Sequence, residues 1–79
     1  MMTSPKHQKE IRRLFVRLAF HVDPDGARFG VLARALGVNQ AAIPRWIAKG
    51  RVADLRARDI NHMFGDDLAP LKVLTGGKS

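Results

Sequence analysis

The basic side chains of this chain are concentrated in its middle, where together they suit a polyanionic partner. The 79 residues include 14 Lys and Arg against 7 Asp and Glu, a formal net charge of +7. Between residues 28 and 58, a single acid, Asp54, stands among these cations: Arg28, Arg34, Arg45, Lys49, Arg51, Arg56 and Arg58. Such a balance favours nucleic acid as the partner, although an acidic protein would suit the same charge.

The other reactive side chains lack the arrangements that catalysis and metal binding require. The chain has no cysteine, which excludes thiolate metal sites and fits a reducing cytoplasm. His7, His21 and His62 are widely separated, and no two have the i, i+4 spacing of a helical metal site. No Ser/His/Asp or paired-carboxylate arrangement is present. We therefore expect no enzyme, no cofactor, no metal and no small-molecule substrate.

Length and composition predict one folded domain over residues 1–79. Hydrophobic residues make up 46% and charged residues 27% of the chain, proportions that suit a globular core. We expect that core at about residues 5–74 and a flexible tail at 75–79. No apolar run approaches the ~18 residues of a membrane span. We therefore expect no membrane association and a cytoplasmic location.

Apolar residues at helical spacing predict an all-α fold of four to five short helices. The first is expected over residues 5–22, with Ser4 as its N-cap, from this stripe: Ile11, Leu14, Phe15, Leu18 and Val22. The turn at residues 23–26 follows, and Gly26 is expected to supply its backbone freedom.

Residues 27–49 predict two short helices joined by a turn that contains a glycine. The second helix is expected from Ala27 to Leu36, and Gly37 ends it with a positive φ. Asn39 is the expected N-cap of a third helix over residues 40–49. A small residue, Ala33, allows the two helices to cross closely. The core between them is expected from Leu32, Leu36, Val38, Ile43 and Trp46.

Pro44 lies inside the predicted third helix. Its ring is expected to remove a backbone hydrogen bond to Gln40 and to disfavour helical geometry at Ile43. We therefore expect a local kink in this helix.

The last third of the chain predicts two further helices. A fourth is expected over residues 53–64, with an inner side formed by Leu55, Ile60, Met63 and Phe64. Asp66 or Asp67 is the expected cap of a short fifth helix. Its apolar residues either form a dimer surface or cover the core of their own chain: Leu68, Leu71, Val73 and Leu74.

The segment from Leu36 to Ile43, followed by Trp46, resembles the helix-turn-helix of small phage repressors of the Cro type. It resembles bacterial antitoxin regulators more loosely, and the resemblance covers about residues 28–64. It implies a lambda repressor-like DNA-binding domain, located in the host cytoplasm or nucleoid, whose third helix enters the major groove. The implied base-contacting residues are Asn39, Gln40, Ala41, Pro44 and Arg45.

The resemblance also implies how these side chains meet DNA. Gln40 would pair with adenine, Arg45 with guanine, and Ala41 would contact a thymine methyl group. The implied phosphate-contacting residues, which carry little sequence information, are Arg28, Lys49, Arg51 and Arg56.

The expected function is therefore sequence-specific regulation of transcription by a Cro-like repressor. A homodimer would bind a pseudo-palindromic double-stranded operator with half-sites about one turn apart, roughly 34 Å. Two alternatives remain open. One is an antitoxin or operon autoregulator with the same motif, and the other is an adaptor that binds proteins and not DNA.

Overall fold

The computed structural model describes residues 5–76 and shows five helices and no strand over that range. The helices are α1 (Pro5–Val22), α2 (Phe29–Leu36), α3 (Ala42–Lys49), α4 (Asp54–Phe64) and α5 (Leu71–Leu74). The predicted all-α class is confirmed. No helix in the described range has the length and apolar character needed to cross a membrane. The predicted cap Ser4 and residues 77–79 of the predicted tail lie outside the described residues.

Helix α1 is the central element of the fold, and its predicted bounds match the observed ones. It packs against α2, α3 and α5. Its inner side is completely or almost completely buried: Ile11, Leu14, Phe15, Leu18 and Ala19. This stripe supplies much of the hydrophobic core, because burial of each of its four large side chains stabilises the fold by roughly 1.5–3 kcal/mol.

The turn between α1 and α2 differs from the prediction. Ala27 adopts the positive φ, at 49°, and Gly26 does not. The Ala27 N–H donates to the Asp23 carbonyl at 2.7 Å, and the Arg28 N–H donates to the Asp23 carboxylate at 3.2 Å. These bonds hold residues 27 and 28 outside helical geometry. Helix α2 therefore begins at Phe29, two residues later than predicted.

Helices α2 and α3 are joined by a turn at residues 37–41, as the sequence predicts. Gly37 has a φ of 73°, and its N–H donates to the Arg34 carbonyl at 3.2 Å. The predicted contacts between the two helices are buried or half-buried in the common core: Leu32, Ala33, Leu36, Val38, Ile43 and Trp46. These two helices and their turn form a helix-turn-helix.

The predicted inner side of α4 is partly wrong. Ile60 is buried and Phe64 packs on the core, but Leu55 and Met63 are exposed, and Ala57 takes the inner position. Ala57, Ile60 and Phe64 have the i, i+3, i+7 spacing of a single helix face. Leu55 and Met63 lie off this face, and their side chains therefore remain in solvent.

The C-terminal helix covers the core of its own chain. Leu74 is fully buried, and the Leu74 carbonyl accepts a hydrogen bond from the buried Val52 at 2.7 Å. Leu68, Leu71 and Val73 are partly buried against the same core. Pro70 occupies the N-cap position, so the prediction of Asp66 or Asp67 as the cap is wrong. The packing favours the core-covering alternative over a dimer surface on α5.

Candidate nucleic-acid interface

One side of α3 and the turn before it form an exposed surface. All five predicted base-contacting residues are exposed there: Asn39, Gln40, Ala41, Pro44 and Arg45. Ala48 and Lys49 are also exposed, so the outward positions recur along the full length of the helix. The arrangement presents amide, guanidinium and ammonium groups together with small apolar groups from one helix.

The opposite side of α3 is fixed to the core. Ile43 is fully buried, and the Trp46 ring stacks on the Phe15 ring of α1 with a centroid separation of 5.8 Å. The Gln8 side chain of α1 donates to the Ala48 carbonyl at 2.6 Å. Helix α3 is therefore attached to α1 near its middle and at its C-terminal end, which leaves the outward side free for a ligand.

Asn39 organises the turn before α3, and the helix starts two residues later than predicted. The Asn39 side-chain oxygen accepts from the Ala41 N–H at 2.9 Å, and the Asn39 carbonyl accepts from the Ala42 N–H at 2.9 Å. The helix consequently begins at Ala42 and not at Gln40. Asn39 stabilises the preceding turn and does not act as the N-cap itself, a position that Ala41 occupies.

Pro44 is compatible with this later start. It is the third residue of α3, where a backbone N–H would have no partner inside the helix. The Gln40 carbonyl instead accepts from the Ile43 N–H at 3.3 Å. Pro44 therefore makes no bond to Gln40, as predicted, but Ile43 is helical, contrary to the prediction, and α3 continues through Pro44 to Lys49.

The Gln40 side chain lies across the first turn of α2. Gln40 shares the lining of an open groove with two cations, Arg28 and Arg34. A Cβ placed on Gly30 would lie 3.2 Å from the Gln40 Oε1 atom, closer than most side-chain contacts. Gly30 therefore leaves the space that the Gln40 amide occupies. Neither Gly30 nor Arg34 is among the predicted site residues, because their proximity to Gln40 depends on how the two helices cross.

Arg28 is exposed, and its guanidinium forms an ion pair with Asp23. Its Nε donates to the Asp23 carboxylate at 2.9 Å, and the side chains of Arg28 and Asp23 are 72% and 10% exposed. The hydrogen bond from the Arg28 guanidinium lowers the pKa of Asp23 and raises the pKa of Arg28. The pair orients the guanidinium, whose terminal nitrogens remain at the surface.

The other predicted phosphate-contacting residues are exposed near the end of α3 and on α4. Lys49 is the last residue of α3, and Arg51 follows the left-handed Gly50, whose φ is 75°. The Arg51 N–H donates to the Trp46 carbonyl at 3.2 Å, which keeps this cation beside the helix end. Arg56 is exposed in the first turns of α4, a helix that packs mainly against α5.

Residues 5–76 contain no group of three or more histidine or acidic side chains arranged to hold a metal ion. Comparison of the chain with protein-family models, curated proteins and solved structures finds no significant match.

Proposed function

We propose that this protein binds double-stranded DNA sequence-specifically and regulates transcription by occupying an operator. The observation that carries the proposal is the exposed side of α3, which is fixed from behind by Phe15 and Gln8. An α-helix with its outward side free fits the major groove, which is about 12 Å wide. The net charge of +7 supplies the attraction to the phosphate backbone.

In this proposal, base recognition comes from the N-terminal part of α3 and the preceding turn. Gln40 can form two hydrogen bonds with adenine, and Arg45 can form two with guanine. Ala41 offers a methyl group to thymine, and Asn39 and Pro44 lie within the same exposed surface. Each bidentate pair discriminates against the wrong base by about 1–3 kcal/mol.

Affinity comes mainly from cations that flank this surface. Arg28 lies at one end, beside Gln40, whereas Lys49 and Arg51 lie at the C-terminal end of α3. Arg56 extends the positive charge onto α4. These residues would contact phosphates and set the salt dependence of binding without selecting a sequence.

Selection from random DNA duplexes at two salt concentrations tests the proposal. We expect one enriched operator, bound about 10³-fold or more tightly than random DNA. Two exposed arginines provide variants with equal changes in charge. Arg45→Ala should relax the preference at one base pair, whereas Arg51→Ala should weaken all sequences alike and lower the salt slope by about 0.9.

Weak and equal binding to every duplex would contradict this function. It would favour the alternative in which the helix-turn-helix binds a protein. An equal loss of affinity for all sequences on Arg45→Ala would remove Arg45 from the base-reading residues and leave it as a phosphate contact.

A further inference from the structure

Two helices expose apolar side chains on the sides that point away from the core. On α1 these are Val16 and Phe20, which are 37% and 55% exposed. On α4 they are Leu55 and Met63, which are 79% and 53% exposed. Single exposed apolar residues are common, but aligned pairs on two helices indicate a contact surface.

Each pair belongs to a longer exposed stripe. The α1 stripe consists of exposed residues on the side opposite the buried face: Lys9, Arg12, Arg13, Val16, Arg17 and Phe20. The α4 stripe consists of exposed residues on that helix and just beyond its end: Leu55, Asp59, His62, Met63, Asp66 and Asp67.

The two stripes carry opposite charge. The α1 stripe includes one Lys and three Arg residues and no acid, whereas the α4 stripe includes three Asp residues and is flanked on the same helix by two exposed arginines, Arg56 and Arg58. On the flank of α4, Arg58 is paired with Asp54 at 3.6 Å. Apolar residues between complementary charges provide both attraction and specificity for one stripe against the other.

The C-terminal ends of α1 and α4 meet at one end of the molecule. The His21 ring at the end of α1 contacts the Phe64 ring at the end of α4 edge-on, with a centroid separation of 5.8 Å. Arg17 of α1 also donates to the Leu68 carbonyl at 3.4 Å, next to the acidic residues 66 and 67. The two helices that carry the stripes are therefore adjacent at this end, where the α1 stripe comes close to residues 66 and 67 of the α4 stripe.

We propose that a second copy of this chain covers both stripes around a two-fold axis. The α1 stripe of one protomer lies on the α4 stripe of its partner, and the two-fold axis repeats that contact. Pairing α1 with α1 would place four cations against four, and pairing α4 with α4 would place three carboxylates against three. In the crossed arrangement, with α1 of each protomer on α4 of its partner, opposite charges are paired. The apolar side chains of one stripe are buried against those of the other.

Sedimentation equilibrium on the full chain without DNA tests this dimer. We expect a monomer–dimer equilibrium, and the double variant Phe20→Ser/Leu55→Ser should be monomeric over the same concentrations. Because both side chains are exposed, this variant should keep the helical circular dichroism of the parent. A parent chain that is monomeric at every concentration would leave the stripes to a different partner and overturn the proposal.

Charge-reversal variants test whether the α1 stripe of one protomer contacts the α4 stripe of its partner. Arg13→Asp and Asp59→Arg should each raise the dimer dissociation constant about tenfold, because the symmetric dimer contains each contact twice. Mixing the two variants should restore association as a heterodimer, in which both contacts again join opposite charges. Lys72→Asp, an exposed cation outside both stripes, is the control and should have no effect.

Dimers that both single reversals leave unchanged would overturn the crossed arrangement. A dimer weakened by Arg13→Asp but not by Asp59→Arg would also overturn it, because α4 would then lie outside the interface. The measurement contains no DNA, so its outcome is independent of the proposed operator binding.

Discussion

The two exposed regions of this molecule are made of different kinds of side chain. The outward side of α3 presents polar, charged or small residues, and its large apolar residues Ile43 and Trp46 point into the core. In the described part of the chain, the exposed large apolar residues lie instead on α1 and α4. A polar, cationic surface suits a hydrated groove, whereas apolar side chains between charges gain from excluding water. The two regions therefore suit partners of different chemistry.

An aromatic residue from each region provides the largest expected contrast. Trp46→Ala removes the stack on Phe15 and part of the core, and should lower the free energy of unfolding by about 2–3 kcal/mol. Phe20→Ala removes an exposed ring and should change it by less than about 0.5 kcal/mol. Urea titration of both variants, at a concentration where the chain is monomeric, measures the difference.

Equal destabilisation by the two variants would contradict the difference between the core-anchored α3 and the exposed side of α1. It would mean that Phe20 contributes to the fold of the monomer, and the α1 stripe would no longer be a surface free for a partner.

A second prediction concerns the turn that orients Arg28 beside the α3 surface. The lowered pKa of Asp23 means that its carboxylate stabilises the fold above its ordinary pKa of 3.8, and that this contribution is lost as the pH falls through the lower folded value. Asp23→Asn should therefore lower Tm by a few degrees near neutral pH. The difference from the parent chain should shrink in acid.

Thermal unfolding followed by circular dichroism over a series of pH values checks this dependence. Asp25→Asn is the matched control, because Asp25 is an exposed acid in the same turn. A Tm difference between Asp23→Asn and the parent that stays constant into acid would contradict a role for the charged carboxylate.

The smallest expected change in stability belongs to Gly30→Ala. Alanine favours the helix by about 0.5–1 kcal/mol over glycine, but its Cβ would lie 3.2 Å from the Gln40 Oε1 atom. We expect an almost unchanged Tm and an altered base preference at the position that Gln40 reads. Sequence selection measures the preference, and Ala35→Gly, at an exposed position of α2, is the control that lowers helix propensity alone.

An unchanged base profile for Gly30→Ala would show that Gln40 adjusts freely, or that it does not contact bases. The enriched operator of the parent chain separates this result from a failure of DNA binding itself.

Helix positions were largely predictable from local sequence, because apolar spacing and turn residues act over a few neighbours. The bounds of α1 match, and Gly37 and Gly50 adopt the positive φ expected of helix ends. The starts of α2 and α3 were predicted two residues early. Side-chain bonds from Asp23 and Asn39 hold those residues in turns, and such bonds compete with helical geometry without altering apolar periodicity.

The candidate site was predictable to a similar extent. The exposure of Arg45 follows from the stripe that buries Ile43, because helical geometry places these two residues on opposite sides, whereas Gln40 lies in the turn before α3. The proximity of Gly30, Arg34 and Gln40 was not predictable, since it depends on the crossing of α2 and α3.

The all-α class, the helix-turn-helix segment and the concentration of positive charge could be predicted because they depend on local pattern or composition. The packing of the helices was needed to show that Ala57 lies on the inner face of α4 while Leu55 and Met63 remain exposed, and that α5 covers the core of its own chain. Periodicity identifies candidate faces, but the space between packed helices selects the face that is buried.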